Sequence, residues 1–406
     1  MILLDHLPVE ILSLVVDNIN HNDLYHCALV NKRFYTATIP VLWRSPKVDD
    51  DPSAVRLTKS LSLARYSLGH YIRKLQFEEA IMDDTLIYFI DRSIFLEELI
   101  IMHAEHITDK SIQHLSQQCP QLKKLHLGNA NITHRSMHYL GQRCCRLREL
   151  ALKACHRLLP ITLLPFADCP LEYLDLSECR WLTVEDTALD ILQLNRLTHL
   201  ELVCCRTVNA KFIQQLYNNN TIALPHLTYF AITGNPDIND HIIIPFIKTH
   251  PHLTSLHILK CNLTDIGLDA IATYLPCIHV LNLLCCENIS SQAVRRFIRN
   301  CPQLVMIGLE NCLLPLYTFP EVQEKDGEYA EILGYTDITA IRLSNDNNSI
   351  DQPIQMQEDD TINDMDGVNN NIDIPRHEVL DINDNDDMEE VRAIVLSLSE
   401  SQQYSI

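Results

Sequence analysis

The chain has 406 residues, is 47% apolar and carries a formal net charge of −21, so it is long enough for a substantial core and for two or three structural units. The charge is concentrated: residues 346–390 hold fifteen Asp or Glu against the single Arg376, a balance of −14 that leaves −7 for residues 1–345. An acidic chain without a basic patch excludes nucleic acid as the principal partner. No apolar run is long enough to span a bilayer, and Asp5 and His6 interrupt the apolar start, so neither a membrane span nor a signal peptide is expected.

Residues 1–48 predict a small module of short helices. Pro8 suits a first helical turn, with Ile11, Leu12, Val15 and Ile19 as an apolar stripe behind it. Asn22 or Asp23 can cap the next helix, whose apolar positions are Leu24, Cys27, Leu29 and Val30. So short a segment cannot bury that many large side chains unaided, which implies a docking partner.

The landmarks Leu7-Pro8-Val9-Glu10-Ile11-Leu12, Asp23-Leu24, Cys27-Ala28-Leu29-Val30, Phe34-Tyr35 and Leu42-Trp43 occur in that order, and together they resemble an F-box. The resemblance implies docking of the Skp-type adaptor of a cullin-based ubiquitin ligase through Leu7, Pro8, Ile11, Leu12, Leu29, Val30 and Trp43. Residues 49–71 read as a linker or cap leading into the next region.

From 72 to 315 one phrase recurs ten times, an apolar residue followed at three and five places by Leu or a substitute, at 72–77, 96–101, 122–127, 147–152, 171–176, 197–202, 227–232, 253–258, 278–283 and 304–309. That period and that L-x-x-L-x-L pattern are those of leucine-rich repeats, each a short strand plus a helix. No unit buries its leucines alone, so the expected fold is an α/β solenoid with parallel strands on the concave side and helices on the convex side. Helix starts are marked by Thr108-Asp109, Thr183-Val184-Glu185 and Thr264-Asp265. The unit before 227 is long, and Asn218-Asn219-Asn220 marks the tip of an inserted loop there.

Six cysteines, Cys155, Cys179, Cys205, Cys261, Cys286 and Cys312, follow the last apolar strand position by three residues, and Cys119, Cys144, Cys169 and Cys301 close the helices. Thiols spaced by the repeat read as small buried apolar side chains. No C-x2-C pair is present, so neither a zinc site nor any other metal or cofactor is expected. Free thiols on this scale point to a reducing compartment, the cytoplasm or nucleus. The module and the cysteine-bearing repeats together resemble the F-box/leucine-rich-repeat family over about residues 1–315.

The positions between the strand leucines should form one solvated wall. Across the middle and end of it lie Tyr173, Asp175, His199, Glu201, Tyr229, His257, Val280 and Met306, with Asn282, Leu284 and Glu310 beside them. Exposed aromatic and apolar residues on a rigid scaffold suit a target protein of unknown identity. His199 lies near two carboxylates, but no nucleophile completes a catalytic set, so no catalytic residue is expected.

Beyond Cys312 the repeat is lost. Residues 316–345 suggest a cap, 346–385 have the Asn/Asp-rich composition of a disordered linker, and 386–401 read as an acidic run leading into a helix. That helix resembles a ubiquitin-interacting motif, which implies ubiquitin contacts through Val391, Ala393, Ile394, Ser397 and Leu398; the family's large apolar residue before Ala is replaced by Glu390. The expected function is therefore the non-catalytic substrate-recognition subunit of a cullin-based ligase. The alternative is a non-degradative ubiquitin-binding scaffold whose F-box-like helices only cap the solenoid.

Overall fold

The structure is a computed structural model that describes residues 7–48, 51–63, 68–217, 224–234, 236–322 and 327–344. The predicted loop tip at Asn218-Asn219-Asn220, the acidic linker and the ubiquitin-interacting-motif-like segment with Val391, Ala393, Ile394, Ser397 and Leu398 lie outside the described residues.

Three helices open the chain: α1 (Val9–Asp17), α2 (His21–Val30) and α3 (Lys32–Leu42). Asn31 caps α3, its side chain accepting hydrogen bonds from the Arg33 and Phe34 amides at 2.9 and 3.0 Å. Their small separate core is Leu12, Val16, Leu24, Phe34 and Ala37. The stripe expected on α1 is thereby corrected. Leu12 and Val16 face inward, whereas Ile11, Leu14 and Val15 are exposed. Helix α1 is apolar on two faces, and periodicity alone does not say which is buried.

The sheet starts earlier than the first leucine phrase. Strand β1 (Lys47–Val48) and helix α4 (Asp51–Leu63) precede β2 (Lys74–Phe77), and β1 pairs with β2 in parallel. Val48, Leu57 and the partly buried Trp43 pack on the solenoid core, so α4, within the stretch read as a linker or cap, packs against the first layer.

After β2 come α5 (Asp83–Arg92), β3 (Glu98–Ile101), α6 (Asp109–Gln118), β4 (Lys124–Leu127), α7 (His134–Arg143), β5 (Glu149–Ala151) and β6 (Tyr173–Asp175). The chain continues through α8 (Thr187–Gln193), β7 (His199–Leu202), α9 (Ala210–Tyr217), β8 (Tyr229–Thr233), α10 (Asp240–Thr249) and β9 (Ser255–Leu259). It closes with α11 (Asp265–Tyr274), β10 (Val280–Asn282), α12 (Ser291–Asn300), β11 (Met306–Gly308), β12 (Ile332–Leu333) and α13 (Tyr335–Leu343). Strands β1 to β11 pair in chain order and in parallel, and β12 joins β11 antiparallel. This is the leucine-rich-repeat solenoid, preceded by the helical module.

Register follows the repeat: Leu150, Leu174, Leu200, Phe230, Leu256, Leu281 and Ile307 stand side by side on successive strands, and all are fully buried. Adjacent helices are tied by a second repeating device. Asp83, Asp109 and Asp265 each accept hydrogen bonds from the amide and hydroxyl of the cap residue of the next helix, Thr108, Thr133 and Ser290, at 2.5–3.0 Å.

Where a strand ends, the second residue past its last apolar position takes a left-handed backbone, as at Ala154, Glu178, Cys204, Lys260, Cys285 and Asn311, with φ of 52–64°. The chain turns there, and the following side chain, each time a cysteine, drops into the core. The thiols of Cys179, Cys205, Cys286 and Cys312 donate to the strand-end carbonyls of the preceding repeat, Leu152, Leu176, Ile258 and Leu283, at 2.9–3.3 Å. A second column runs along the helix ends, with Cys119 donating to Ser93, Cys144 to Cys119 and Cys169 to Cys144.

Burial pushes the thiols of Cys119, Cys144, Cys155 and Cys286 up to about 12, and a protonated, covered thiol is a poor nucleophile. Native protein treated with iodoacetamide at neutral pH should be modified at the exposed Cys145 and Cys277 and not at these four. Peptide mass spectrometry checks this, and labelling of Cys155 or Cys286 at the rate of Cys145 would refute the buried columns.

Two local departures have plain causes. Between β5 and β6 the expected helix is replaced by short 3-10 turns at Pro160–Thr162 and Leu164–Phe166, because Pro160 and Pro165 remove the donors an α-helix needs. Gly141 on α7 lets this turn approach closely, since a Cβ there would lie 2.5 Å from the Pro165 carbonyl oxygen. Helix α8 begins at Thr187 rather than beside Thr183, whose hydroxyl instead accepts from the Asp186 amide at 3.3 Å.

The far end is covered by β12 and α13. Leu333, Ile338 and Ile341 join the solenoid core, and Arg342 donates to the Ile298 and Leu304 carbonyls at 3.0 and 3.2 Å and also to that of Cys301. Among the described residues no helix is long and apolar enough to cross a membrane.

Candidate functional site

Two surfaces are candidates for contact. The first is the outer face of the helical module. With Leu12, Val16, Leu24 and Phe34 turned inward, the remaining apolar residues have nowhere to go: Ile11, Leu14 and Val15 on α1, Tyr25, Leu29 and Val30 on α2 and Tyr35 on α3 are exposed. Leu29 and Val30 keep 66% and 62% of their surface in water. So many large apolar side chains left outside one small module mark an interaction site.

Of the residues expected to meet an adaptor, Pro8, Ile11, Leu29 and Val30 are exposed and Leu7 is half-buried. Leu12 is inside the module's own core and Trp43 packs against the solenoid. These two hold the module in shape and position rather than offering free surface.

The second surface is the sheet face between the strand leucines. The parallel register aligns Tyr173 with His199 and His199 with Tyr229, and Asp175 with Glu201, on β6, β7 and β8. The rings form a continuous stack: His126 to Tyr173 at 5.4 Å, Tyr173 to His199 at 6.0 Å, His199 to Tyr229 at 5.4 Å and Tyr229 to His257 at 4.9 Å between centroids. His126 sits two strands from Tyr173, so no spacing in the sequence points to this contact. The two rings meet across β5, where Ala151 presents only a methyl group.

Beside this stack run the carboxylates. The Tyr173 hydroxyl donates to Glu201 Oε1 at 3.0 Å, and Asp175 Oδ1 accepts from the Ser177 amide at 2.8 Å. Burial, then the neighbouring Asp175 charge, pushes the Glu201 carboxyl up to about 8, against the opposing Tyr173 hydrogen bond and Lys153 charge. At the near end the order reverses. The His126 ring at 3.5 Å and the Lys124 ammonium at 2.6 Å hold the Glu149 carboxyl down to about 2, although burial opposes them.

The expectation of a solvated wall is corrected towards its far end. Tyr173, His199, Glu201 and Met306 are partly exposed, but Asp175 in the middle and Tyr229, His257, Val280, Asn282, Leu284 and Glu310 further on are buried, His257 to 2% exposure. Strands in close parallel register bring large side chains shoulder to shoulder, and they cover one another. Asn282 Nδ2 and His257 Nδ1 have no hydrogen-bond partner among the described residues. Burial holds the His257 ring down to about 4 and pushes the Glu310 carboxyl up to about 7.

These groups set a pH dependence. Glu201 and Glu310 are raised from 4.5, so their contribution to stability is complete below about pH 4.5 and is lost as pH rises through about 7 to 8. His257 is lowered from 6.5, so its contribution is complete above that value and is lost only on acidification. From about pH 6.5 to 8 the carboxyls act alone, and thermal stability should fall by roughly 1–2 kcal/mol. Glu201→Gln should flatten much of that slope in a series of melting curves. An equal slope in both proteins would show that Glu201 titrates like a surface carboxyl.

Comparison with known proteins agrees with this division. Residues 4–48 match the F-box-like family. Residues 249–272 match a leucine-rich repeat. An F-box-like domain thus precedes a leucine-rich-repeat solenoid in this chain. Among solved structures, similarity extends to the Rad7 and Elc1 complex of yeast, at 18% identity over 75% of this chain and 69% of that one with a TM-score of 0.48. It also extends to the TLR13–ssRNA13 complex, at 15% identity over 61% and 37% with a TM-score of 0.39. No group of three or more His, Cys, Asp or Glu among the described residues is placed to hold a metal ion.

Proposed function

We propose that the protein is the substrate-recognition subunit of a cullin-based ubiquitin ligase. Its helical module docks on a Skp-type adaptor, its concave wall holds a target protein, and transfer chemistry belongs to the other subunits. The chain then acts by raising the effective concentration of a target lysine near a charged ubiquitin carrier. The segment with Val391, Ala393, Ile394, Ser397 and Leu398 adds avidity by retaining ubiquitin. Free buried thiols suit the reducing cytoplasm or nucleus.

The observation that carries this reading is the second apolar stripe of the F-box-like module, exposed although the first stripe suffices for its core. A module serving only as a solenoid cap has no use for that stripe, because β1, α4 and Trp43 already cover the first repeat. The test is co-elution of the purified full chain with a purified Skp-type adaptor on size exclusion. A stable complex is expected; a folded chain that never captures the adaptor overturns the ligase assignment and favours the scaffold.

A further inference from the structure

Stacking gathers at one edge of the solenoid cations that the sequence scatters. Where β5 to β9 end, the turns are residues 153–157, 177–181, 203–207, 233–237 and 259–263, and they hold Lys153, Arg157, Arg180, Arg206 and Lys260 against the acids Glu178 and Asp237. The next two turns, 284–288 and 310–314, hold Glu287 and Glu310 and no Lys or Arg. The first turns follow one path. The Ala154 and Glu178 amides donate to the Ser177 and Val203 carbonyls of the following turn at 2.9 and 2.8 Å, and Ala154, Glu178 and Cys204 share the left-handed backbone. Two residues on, His156, Arg180 and Arg206 therefore occupy equivalent places on backbones roughly 5 Å apart. All three are exposed, as is Arg157.

Five cations here meet two acids. Lys153 is 3.7 Å from Glu178, and its charge also reaches Glu201. Arg157 donates to the neutral Asn131 Oδ1 at 2.7 Å, with Asp109 within reach of its charge. Arg180 makes no hydrogen bond or ion pair among the described residues, and the charges of Lys153 and Lys260 both reach the Cys204 thiol between them. At the opposite edge, where the strands begin, cations are matched: Arg73 and Lys123 share Glu97 at 3.8 and 2.6 Å, and Arg148 meets Glu172 at 2.8 Å. Donors without acceptors accompany the excess charge. Trp181 Nε1 and Thr207 Oγ1, each next in the chain to an exposed arginine, are buried with no partner among the described residues, so this edge is short of acceptors as well as of negative charge.

We propose that this edge of the wall binds an acidic segment of the target protein, laid across the ends of β5 to β9 with its carboxylate or phosphate oxygens on the Arg157, Arg180 and Arg206 guanidinia. A guanidinium presents forked donors that match either anion. Five strand ends span roughly 20 Å, the reach of about six extended residues. A nucleic acid fits less well, because its phosphates would continue past the edge onto a solenoid whose residues 1–345 carry a net charge of −7. The proposal deepens the target-binding reading and rests on it.

The experiment measures fluorescence anisotropy of labelled peptides with the full chain. One peptide carries a run of glutamates in a Gly/Ser frame, one has phosphoserines in their place and one has glutamines. The glutamate or the phosphoserine peptide should bind, more weakly as salt is raised, and the glutamine peptide should not; binding of the phosphoserine form alone assigns the anion to phosphate. Arg157→Gln/Arg180→Gln should weaken binding about fivefold or more with an unchanged melting temperature, since both side chains are exposed. Lys123→Gln/Arg148→Gln removes the same charge from the opposite edge and should leave binding as it was. Equal binding of the glutamine peptide, equal loss in the two double variants, or tighter binding of a single-stranded DNA than of either acidic peptide overturns the proposal. Adaptor capture on the same samples reports separately on the ligase reading. If capture fails while acidic peptides bind, the ligase reading falls and the basic edge stands; capture without peptide binding gives the reverse.

Discussion

Aspartate at both Leu29 and Val30 is expected to weaken capture of a Skp-type adaptor at least about 100-fold while leaving the melting temperature of the chain within a degree or two. The two effects separate because both side chains are already mostly in water in the folded chain, so exchanging them removes little packing. In a complex, each apolar anchor at a buried contact is worth about 2 kcal/mol or more, roughly thirtyfold in affinity, and an unpaired carboxylate in its place adds a desolvation cost. Leu12→Asp makes the contrast. It places a charge inside the core shared with Val16, Leu24 and Phe34 and should unfold the module, so loss of capture there reports on folding alone. Surface plasmon resonance for capture and differential scanning fluorimetry for folding check both; native affinity in the Leu29/Val30 variant would remove this face from the interaction.

Leu200→Ala should cost about 2–5 kcal/mol. Leu200 is fully buried on β7, with Leu174 of β6 and Phe230 of β8 as its register partners. The cavity therefore opens on both neighbouring repeats, and close parallel pairing leaves the strands little freedom to collapse into it. In a stacked array each repeat is held only by its neighbours, so one lost leucine weakens two interfaces at once. Against a total stability of about 5–15 kcal/mol this is a large share, readable in urea denaturation followed by circular dichroism. A loss under about 1 kcal/mol would mean that Leu200 does not face inward.

The strand frame was legible in the sequence because one physical demand repeats at fixed spacing. Every strand must send two alternate side chains into the same core, which is why Leu125 and Leu127, or Leu200 and Leu202, stand where the phrase put them. Thiol positions were legible for the same reason, since Cys179 and Cys205 each fill the small space behind a left-handed turn. What periodicity could not supply is direction and crowding. Both stripes of α1 have helical spacing, and only the packing of α2 and α3 decides that Leu12 goes in and Ile11 stays out. Alternation along the strand puts Tyr173, Asp175, His199 and Glu201 on one face of the sheet, but the burial of Asp175, His257 and Val280 depends on neighbours in other repeats. The His126 ring contact crosses a strand and so leaves no mark in the sequence spacing.

Closure of the far end by β12 has a consequence for chain assembly. Parallel sheets built from identical steps have no internal reason to stop, and an unpaired last strand is a template for more of the same. Here β12 runs against the direction of the other strands, and α13 sits beside it with Arg342 bonded to carbonyls around the end of α12. A chain ending after Cys312 would bare both the backbone edge of β11 and the apolar bed now under Leu333, Ile338 and Ile341. Such a molecule should pair through its bared end into larger species visible by light scattering, so the described residues after Cys312 keep that edge from self-association.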